Sequence, residues 1–289
     1  LEEGTNRLKN HFSVFAQRHG TLVLLILPAL FLLLFLLFPV ADLLSKCAYN
    51  QQGFTLEYFQ RYFSKDLYIR VLLNTFLLCL IISALCLVMG YPVAYVINRA
   101  GKKMRLLIMS LVQIPFWTSL LVRTYAWTVM LQSQGVVNGV LMKTGLIQEP
   151  IQMYHNSAGV IIGMTHIMLP FMIFSLTAVM EQIDGNLITA SKNLGAGNVH
   201  TFFRIFFPLS MPGVVSGFSL VFLNSIGYYI VPTLLGGEKD TMISQLIRIQ
   251  ISKTLDWNFA AAISVILIMA TIMVMMVSQN FSKVRGSRK

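Results

Sequence analysis

Residues 71–98 read VLLNTFLLCLIISALCLVMGYPVAYVIN, an uninterrupted run without a charged side chain. As a helix at 1.5 Å per residue the run is about 42 Å long, whereas about 20 apolar residues already cross the roughly 30 Å hydrocarbon layer of a bilayer. Outward from it, five further stretches pass the same test: Thr21 to Asp42, Leu106 to Leu131, Gly159 to Met180, Pro212 to Leu235 and Phe259 to Asn280. A soluble core can hide one or two such helices, but six in 289 residues leave too few polar helices to cover them. The chain is therefore predicted to be an all-α integral membrane protein with six transmembrane helices in one domain, residues 21–280. A short N-terminal segment, 1–20, and a tail, 281–289, flank it. Composition agrees, with 56% hydrophobic and only 11% charged residues against about 25% charged in soluble domains. The first stretch is kept as a span because it is too long for a signal-peptide core and no small-residue cleavage site follows it.

The net charge of +11 does not indicate nucleic acid, since the basic residues flank apolar runs instead of gathering on one face. They instead set orientation, because Lys and Arg are retained on the cytoplasmic side. With the N-terminus inside, the inner segments carry Arg7, Lys9, Arg18, Arg99, Lys102, Lys103, Arg105, Lys192, Arg204, Lys283, Arg285, Arg288 and Lys289. The outer segments carry fewer: Lys46, Arg61, Lys65, Arg70, Lys143, Lys239, Arg248 and Lys253. Both termini are thus expected in the cytoplasm, leaving Arg123 inside the membrane. Cys47, Cys79 and Cys86 have neither disulfide nor metal-ligand spacing and read as packing residues. Pro28, Pro39, Pro92, Pro115, Pro170 and Pro232 fall within spans. They suit kinked helices around a cavity, and equally the ordinary irregularity of membrane helices. Outside, Leu56 to Leu67 and Met242 to Leu255 have apolar residues at helical spacing. Each reads as an amphipathic surface helix, either a docking face or a lipid anchor.

The inner loop 181–213 is the most specific segment. A short helix through Leu187 to Leu194 is expected to stop at Gly195, which lacks the Cβ that disfavours the left-handed C′ conformation. Asn198 is expected to cap a second helix, brought to a turn by Pro208 and Pro212 before the fifth span. A helix-turn-helix of small and apolar residues on the cytoplasmic face suggests a knob for a partner's groove; a packed connector is the plainer reading.

Thr189-Ala190-Ser191, Gly195 and Ile205-Phe-Phe-Pro208 resemble the signature E-A-A-x-x-x-G-x(9)-I-x-x-P of binding-protein-dependent ABC importer permeases. Thr189 replaces the signature Glu and Ser191 its second Ala. The resemblance is strongest to the spermidine/putrescine class. It rests on Gly90-Tyr-Pro-Val-Ala94, Pro115-Phe-Trp-Thr-Ser-Leu-Leu-Val-Arg-Thr-Tyr-Ala-Trp127, Leu169-Pro-Phe171, Asn193-Leu-Gly-Ala196 and Pro208-Leu-Ser-Met-Pro-Gly213. The Pro-Phe-Trp-Thr run is also similar to that of opine and amino-acid-derivative permeases. The resemblance implies a type I importer permease (MetI-like) fold in a prokaryotic inner membrane. It also implies a coupling helix seated in an ATPase groove, with Thr189, Ala190, Ser191, Gly195, Ile205 and Pro208 forming the coupling loop. The implied partners are a second, different permease subunit, two ATPase subunits that hold ATP and Mg, and an external solute-binding protein.

Arg123 is the basic residue deep in a span and a functional candidate on cost alone. The preferred reading is structural, with its guanidinium snorkelling outward or bonding backbone carbonyls. The competing reading turns it to the path to neutralise a substrate carboxylate. A cationic substrate would instead meet Trp117, Tyr125, Trp127, Tyr228 and Tyr229 through cation–π contacts of about 0.5–2 kcal/mol each. His166, Asn74, Asn224 and Ser225 either line a cavity or bond between helices. The chain lacks G-x-x-x-x-G-K-[ST], HExxH, a Cys/His cluster and a nucleophile elbow, so no catalytic residue, bound metal or cofactor is expected in it. A secondary transporter is the rival class, but this sequence lacks the midplane acids and inverted repeats such proteins use.

Overall fold

The computed structural model describes residues 26, 28–50 and 53–286. The expected inner segment 1–20, with Arg7, Lys9 and Arg18, lies outside the described residues, as do the start of the first span at Thr21 and residues 287–289. In chain order the elements are α1 (Pro28–Ser45), a small antiparallel pair β1 (Tyr49–Asn50) and β2 (Gly53–Phe54), α2 (Glu57–Phe63) and α3 (Asp66–Arg99). Then come α4 (Lys102–Gln113), α5 (Leu120–Met130), α6 (Val136–Lys143), α7 (Ser157–Met180) and α8 (Gly185–Asn193). The chain continues with α9 (Asn198–Gly227), α10 (Ile230–Leu235), α11 (Ile243–Ser252) and α12 (Trp257–Gly286). Among the described residues five helices, α1, α3, α7, α9 and α12, are long and apolar enough to span a membrane, or six crossings if the bent pair α4 and α5 is counted as one broken span.

The bundle centres on α3, α7 and α9. From α3 come Leu78, Cys79, Ile82, Cys86 and Ala94; from α7, Val160, Met164, Met168, Met172 and Leu176; from α9, Phe206, Val221 and Phe222, all buried. The cysteines Cys79 and Cys86 are free and packed there. A Cβ at Gly217 would stand 2.7 Å from the Met172 sulfur, and one at Gly213 would stand 3.0 Å from Cβ of Val179. Glycine therefore lets α7 and α9 close to a distance that larger residues forbid, which is how helices gain packing energy in lipid, where burial of apolar surface adds little. By contrast α1 is exposed along most of its apolar length; near its end Leu43, and just beyond it Cys47, pack with Ala261 and Ala262 of α12.

Two expected spans are corrected. Leu106 to Leu131 is not one helix: α4 runs into a 3₁₀ turn at Ile114–Trp117 and α5 leaves it at 95°. Pro115 opens that turn, and Thr118 and Ser119 then take extended backbone with ψ of 141° and 135°, so the hydrogen-bond ladder stops instead of merely kinking. The fifth span begins earlier than Pro212 and ends earlier than Leu235, running from Asn198 to Gly227 as one helix. Pro208 and Pro212 make no turn. A π turn at Phe202–Phe206 absorbs one extra residue and delivers Pro208 into the first turn of the resumed α-helix, where its missing N–H costs nothing. At the far end Tyr228 is extended, and Ile230–Leu235 is a separate helix.

The two amphipathic segments also differ from expectation. Leu56 to Leu67 contains only the short α2, and α11 occupies Ile243–Ser252. Their apolar residues are divided: Tyr62, Ile243 and Leu246 are buried with Tyr68, Val71, Phe259, Ile263 and Ile266, while Leu56, Phe63 and Ile249 remain exposed. Arg61 pairs with Asp256 at 2.6 Å and lies 4.1 Å over the Phe259 ring, closing an outer cap on α3 and α12.

Candidate functional site

At the inner end, Asp184 caps α8 by accepting the Asn186 N–H at 2.9 Å. The helix stops as its sequence dictates. Gly195 has φ +84°, its N–H donates to the Lys192 carbonyl at 2.9 Å, and that of Ala196 donates to the Ser191 carbonyl at 3.1 Å. This pair is the Schellman arrangement, which satisfies carbonyls left over at the helix end. The following helix starts at Asn198 with Gly197 as its cap residue and no side-chain capping bond, so Asn198 is inside the helix and is not its cap.

Thr189 and Ala190 are exposed on α8, and the Thr189 hydroxyl donates back to the Gly185 carbonyl at 3.2 Å. Ser191 is buried and shares a 2.9 Å hydrogen bond with Thr201, so its small size serves the close approach of α8 to α9. Gly195 and Pro208 are exposed and Ile205 half-buried. The knob also presents Leu194, 88% exposed, with Val199 and Phe203 at 72% and 63%. Motif matching did not single out these three. Three bulky apolar side chains at the rim of a cytoplasmic turn are the signal that would have found them.

The loop is tied firmly to the bundle. Asn98 of α3 donates to the Met180 carbonyl at 2.9 Å, and Arg105 of α4 pairs with Glu181. Tyr91 shares a 2.8 Å hydrogen bond with Ser210, while Tyr95 sets its ring edge-on to Phe202 and Phe206, with centroids 5.3 and 5.0 Å apart. Arg99 covers Tyr95 at 4.5 Å. Through these contacts the end of α7 is joined to α3 and α4 and the start of α9 to α3, and α9 continues from the loop into the core.

The remaining candidates lie on or beside the two helix breaks and on α5 and α7. Trp117 ends the 3₁₀ turn and is 89% exposed; Tyr125 on α5 is exposed as well. Trp127 donates its indole N–H to Nδ1 of His166 on α7 at 3.2 Å. Arg123, also on α5, is half-buried. Its Nε is buried without a partner, and the carbonyl bonds expected of it are absent among the described residues. Tyr228 accepts from Ser244 of α11 at 2.7 Å through its carbonyl, and Tyr229 lies under Arg248 at 4.6 Å. Asn74 Nδ2 and Ser225 Oγ are also buried and unpaired, while Asn224 bonds the Leu220 carbonyl of its own helix at 2.8 Å. Among the described residues no group of His, Cys, Asp or Glu is placed to hold a metal ion.

Residues 86–283 match the family described as binding-protein-dependent transport system inner membrane component. The chain is 39% identical over 214 residues to the spermidine/putrescine transport system permease protein PotB of Escherichia coli K12, covering 74% of this chain and 78% of that protein. It is 36% identical over 211 residues to the protein of the same name from Haemophilus influenzae, with 73% of each covered. In fold it resembles a solved chain of a bacterial ABC transporter involved in the import of the acidic polysaccharide alginate, with TM-score 0.71 and 21% identity over 93% of this chain and 96% of that one. A chain of the inward-facing MetNI methionine transporter matches with TM-score 0.59 and 16% identity over 75% and 95%. The chain thus belongs to the family of inner-membrane components of binding-protein-dependent transport systems, as a multi-pass permease subunit of a bacterial ABC importer in which a partner chain hydrolyses ATP.

Proposed function

We propose that this chain forms part of the translocation path for a polyamine, spermidine or putrescine, beside a second and different permease subunit. Two ATPase subunits, holding ATP and Mg, would grip the loop built on Thr189, Ala190, Ser191, Gly195, Ile205 and Pro208, and an external binding protein would deliver the solute. The observation that carries the substrate is the 39% identity to a spermidine/putrescine permease over most of both chains. The chemistry of the mid-span cluster is compatible with a polycation in passage. Trp117, Tyr125, Trp127, Tyr228 and Tyr229 offer ring faces worth about 0.5–2 kcal/mol each to an ammonium group, enough to guide and too little to trap. No acidic side chain lies deep in a described span, Asp42 and Asp66 being at helix ends. The charge that attracts the substrate therefore comes from the other subunit and the binding protein.

Native mass spectrometry of the complex, purified through this chain in mild detergent, tests the assembly and the solute together. The expected result is a second permease, two copies of an ATPase, and a binding protein carrying the mass of a polyamine. A bare homo-oligomer, under conditions that keep a known ABC complex intact, overturns the assembly.

One observation favours a second substrate reading, an opine or amino-acid derivative: the buried, unpaired Nε of Arg123 is a donor suited to a carboxylate. If Arg123→Glu still supports uptake of an unchanged cationic substrate, a carboxylate clamp is excluded.

A further inference from the structure

The outer helix α11 is fastened to the α9–α10 break at two successive residues by side chains one helical turn apart. Ser244 donates to the Tyr228 carbonyl at 2.7 Å, and the guanidinium of Arg248 rests 4.6 Å from the centre of the Tyr229 ring. Residues i and i+4 share a helix face, so one face of α11 holds both residues of the break, the extended Tyr228 and the Tyr229 that follows it. Among the described residues Arg248 forms no ion pair and no side-chain hydrogen bond, so the Tyr229 ring is its one specific partner. Arg248 is exposed and Tyr229 partly so, which leaves the guanidinium free to swing into water.

We propose that Tyr229 is a seat for an alkylammonium group which Arg248 fills in the substrate-free protein, and that an arriving amine must displace this guanidinium and thereby loosen α11 from the break. The inference rests on the polyamine reading given above. Two cations cannot share the ring cheaply: even on opposite faces they would lie within about 10 Å of each other and repel. The ring prefers whichever cation is less well hydrated and better held elsewhere. A polyamine, anchored at its other nitrogens, can win that exchange, whereas a single small ammonium ion cannot. Arg248 would thus act as a specificity-determining residue that admits long polycations and keeps the path closed to simple amines.

The test uses the whole purified complex and radiolabelled spermidine, measured as direct binding to the nucleotide-free complex without its binding protein. Arg248→Gln should tighten spermidine binding about three- to tenfold, the range a lost cation–π competitor allows. Arg248→Lys should restore wild-type affinity, and in a Tyr229→Leu background Arg248→Gln should change nothing. Equal affinity for wild type and Arg248→Gln overturns the proposal, as does a shift that persists without the Tyr229 ring. A complex with Arg248→Gln that assembles poorly but binds spermidine with wild-type affinity assigns Arg248 a purely structural role and overturns it as well. Wild-type uptake of spermidine, measured in parallel, separates the two failures. If uptake is present and the affinities are equal, only this inference falls; if uptake is absent, the polyamine reading falls and takes the inference with it.

Discussion

The cytoplasmic knob and the mid-span junction are built on opposite plans. In the knob the polar groups are paired: Asp184 with the α8 N-terminus, Ser191 with Thr201, and the C-terminal carbonyls through Gly195. Its apolar side chains Leu194, Val199 and Phe203 stand out in the open. Around the helix breaks some polar atoms are left over: Arg123 Nε and Ser225 Oγ, like Asn74 Nδ2 on α3, are buried and unpaired. Helices there stop and restart at Thr118–Ser119 and at Tyr228–Tyr229. A body whose internal bonds are complete moves as a unit when its exposed apolar rim is seized. A region of broken helices and spare donors has alternative arrangements close in energy. On the function proposed above, the knob would receive force and the helix breaks would rearrange.

The comparison breaks most readily at the rim. Leu194→Asp combined with Phe203→Asp removes two exposed apolar side chains, each worth about 1.5–3 kcal/mol if buried in a partner. ATPase retained in a pull-down through this chain should fall more than tenfold, while the thermal stability of the isolated chain should barely change. Full retention would show that the knob does not dock through this rim. Next in size, Gly195→Val forces a β-branched residue to φ +84°, a strain of about 1–3 kcal/mol. ATP-driven uptake should drop severalfold or more, with Gly195→Asn between Val and wild type because Asn tolerates this backbone better; equal behaviour of Asn and Val would exclude backbone conformation as the cause.

Smaller effects sharpen the other side. Trp127→Phe keeps an aromatic ring but removes the hydrogen bond to His166, expected to lower stability by about 0.5–1 kcal/mol, readable as a melting shift of a few degrees at most. A large loss would mean that this part of the junction is a rigid anchor. Least of all, Arg105→Ala should cost no more than about 1 kcal/mol, because both partners of the Arg105–Glu181 pair are more than one-third exposed. Exchanging the two charges should recover whatever is lost in coupling between ATP hydrolysis and uptake.

Much of this architecture was legible in the sequence. The spans around α3, α7 and α12 are continuous apolar runs, and nothing competes with the helix in them. Gly195 was readable for a local reason, since few residues but glycine end a helix in the left-handed region. The breaks were hidden because hydropathy records what surrounds a residue and not its dihedral angles. Leu106–Leu131 stays apolar across the 95° bend, and the prolines gave contrary signals. Pro115 marks a true stop, while Pro208 and Pro212 ride within a continuous helix because the π turn at Phe202–Phe206 makes room for them. Burial of Ser191 against Thr201 was not legible, since spacing along a helix does not say which face a neighbouring helix will cover. The contacts of Tyr228 and Tyr229 with α11 join residues about 20 positions apart and were beyond any local pattern.

The central claim, that this permease passes polyamines under the drive of a partner ATPase, is tested most directly by transport. The complex is reconstituted in liposomes with ATP and Mg at the ATPase face and the binding protein with radiolabelled spermidine at the other. The account predicts accumulation that depends on ATP and on the binding protein and is lost in the Leu194→Asp, Phe203→Asp variant. Absence of spermidine and putrescine uptake, with ATP-dependent accumulation of a carboxylate-bearing opine or amino-acid derivative by the same liposomes, would contradict it.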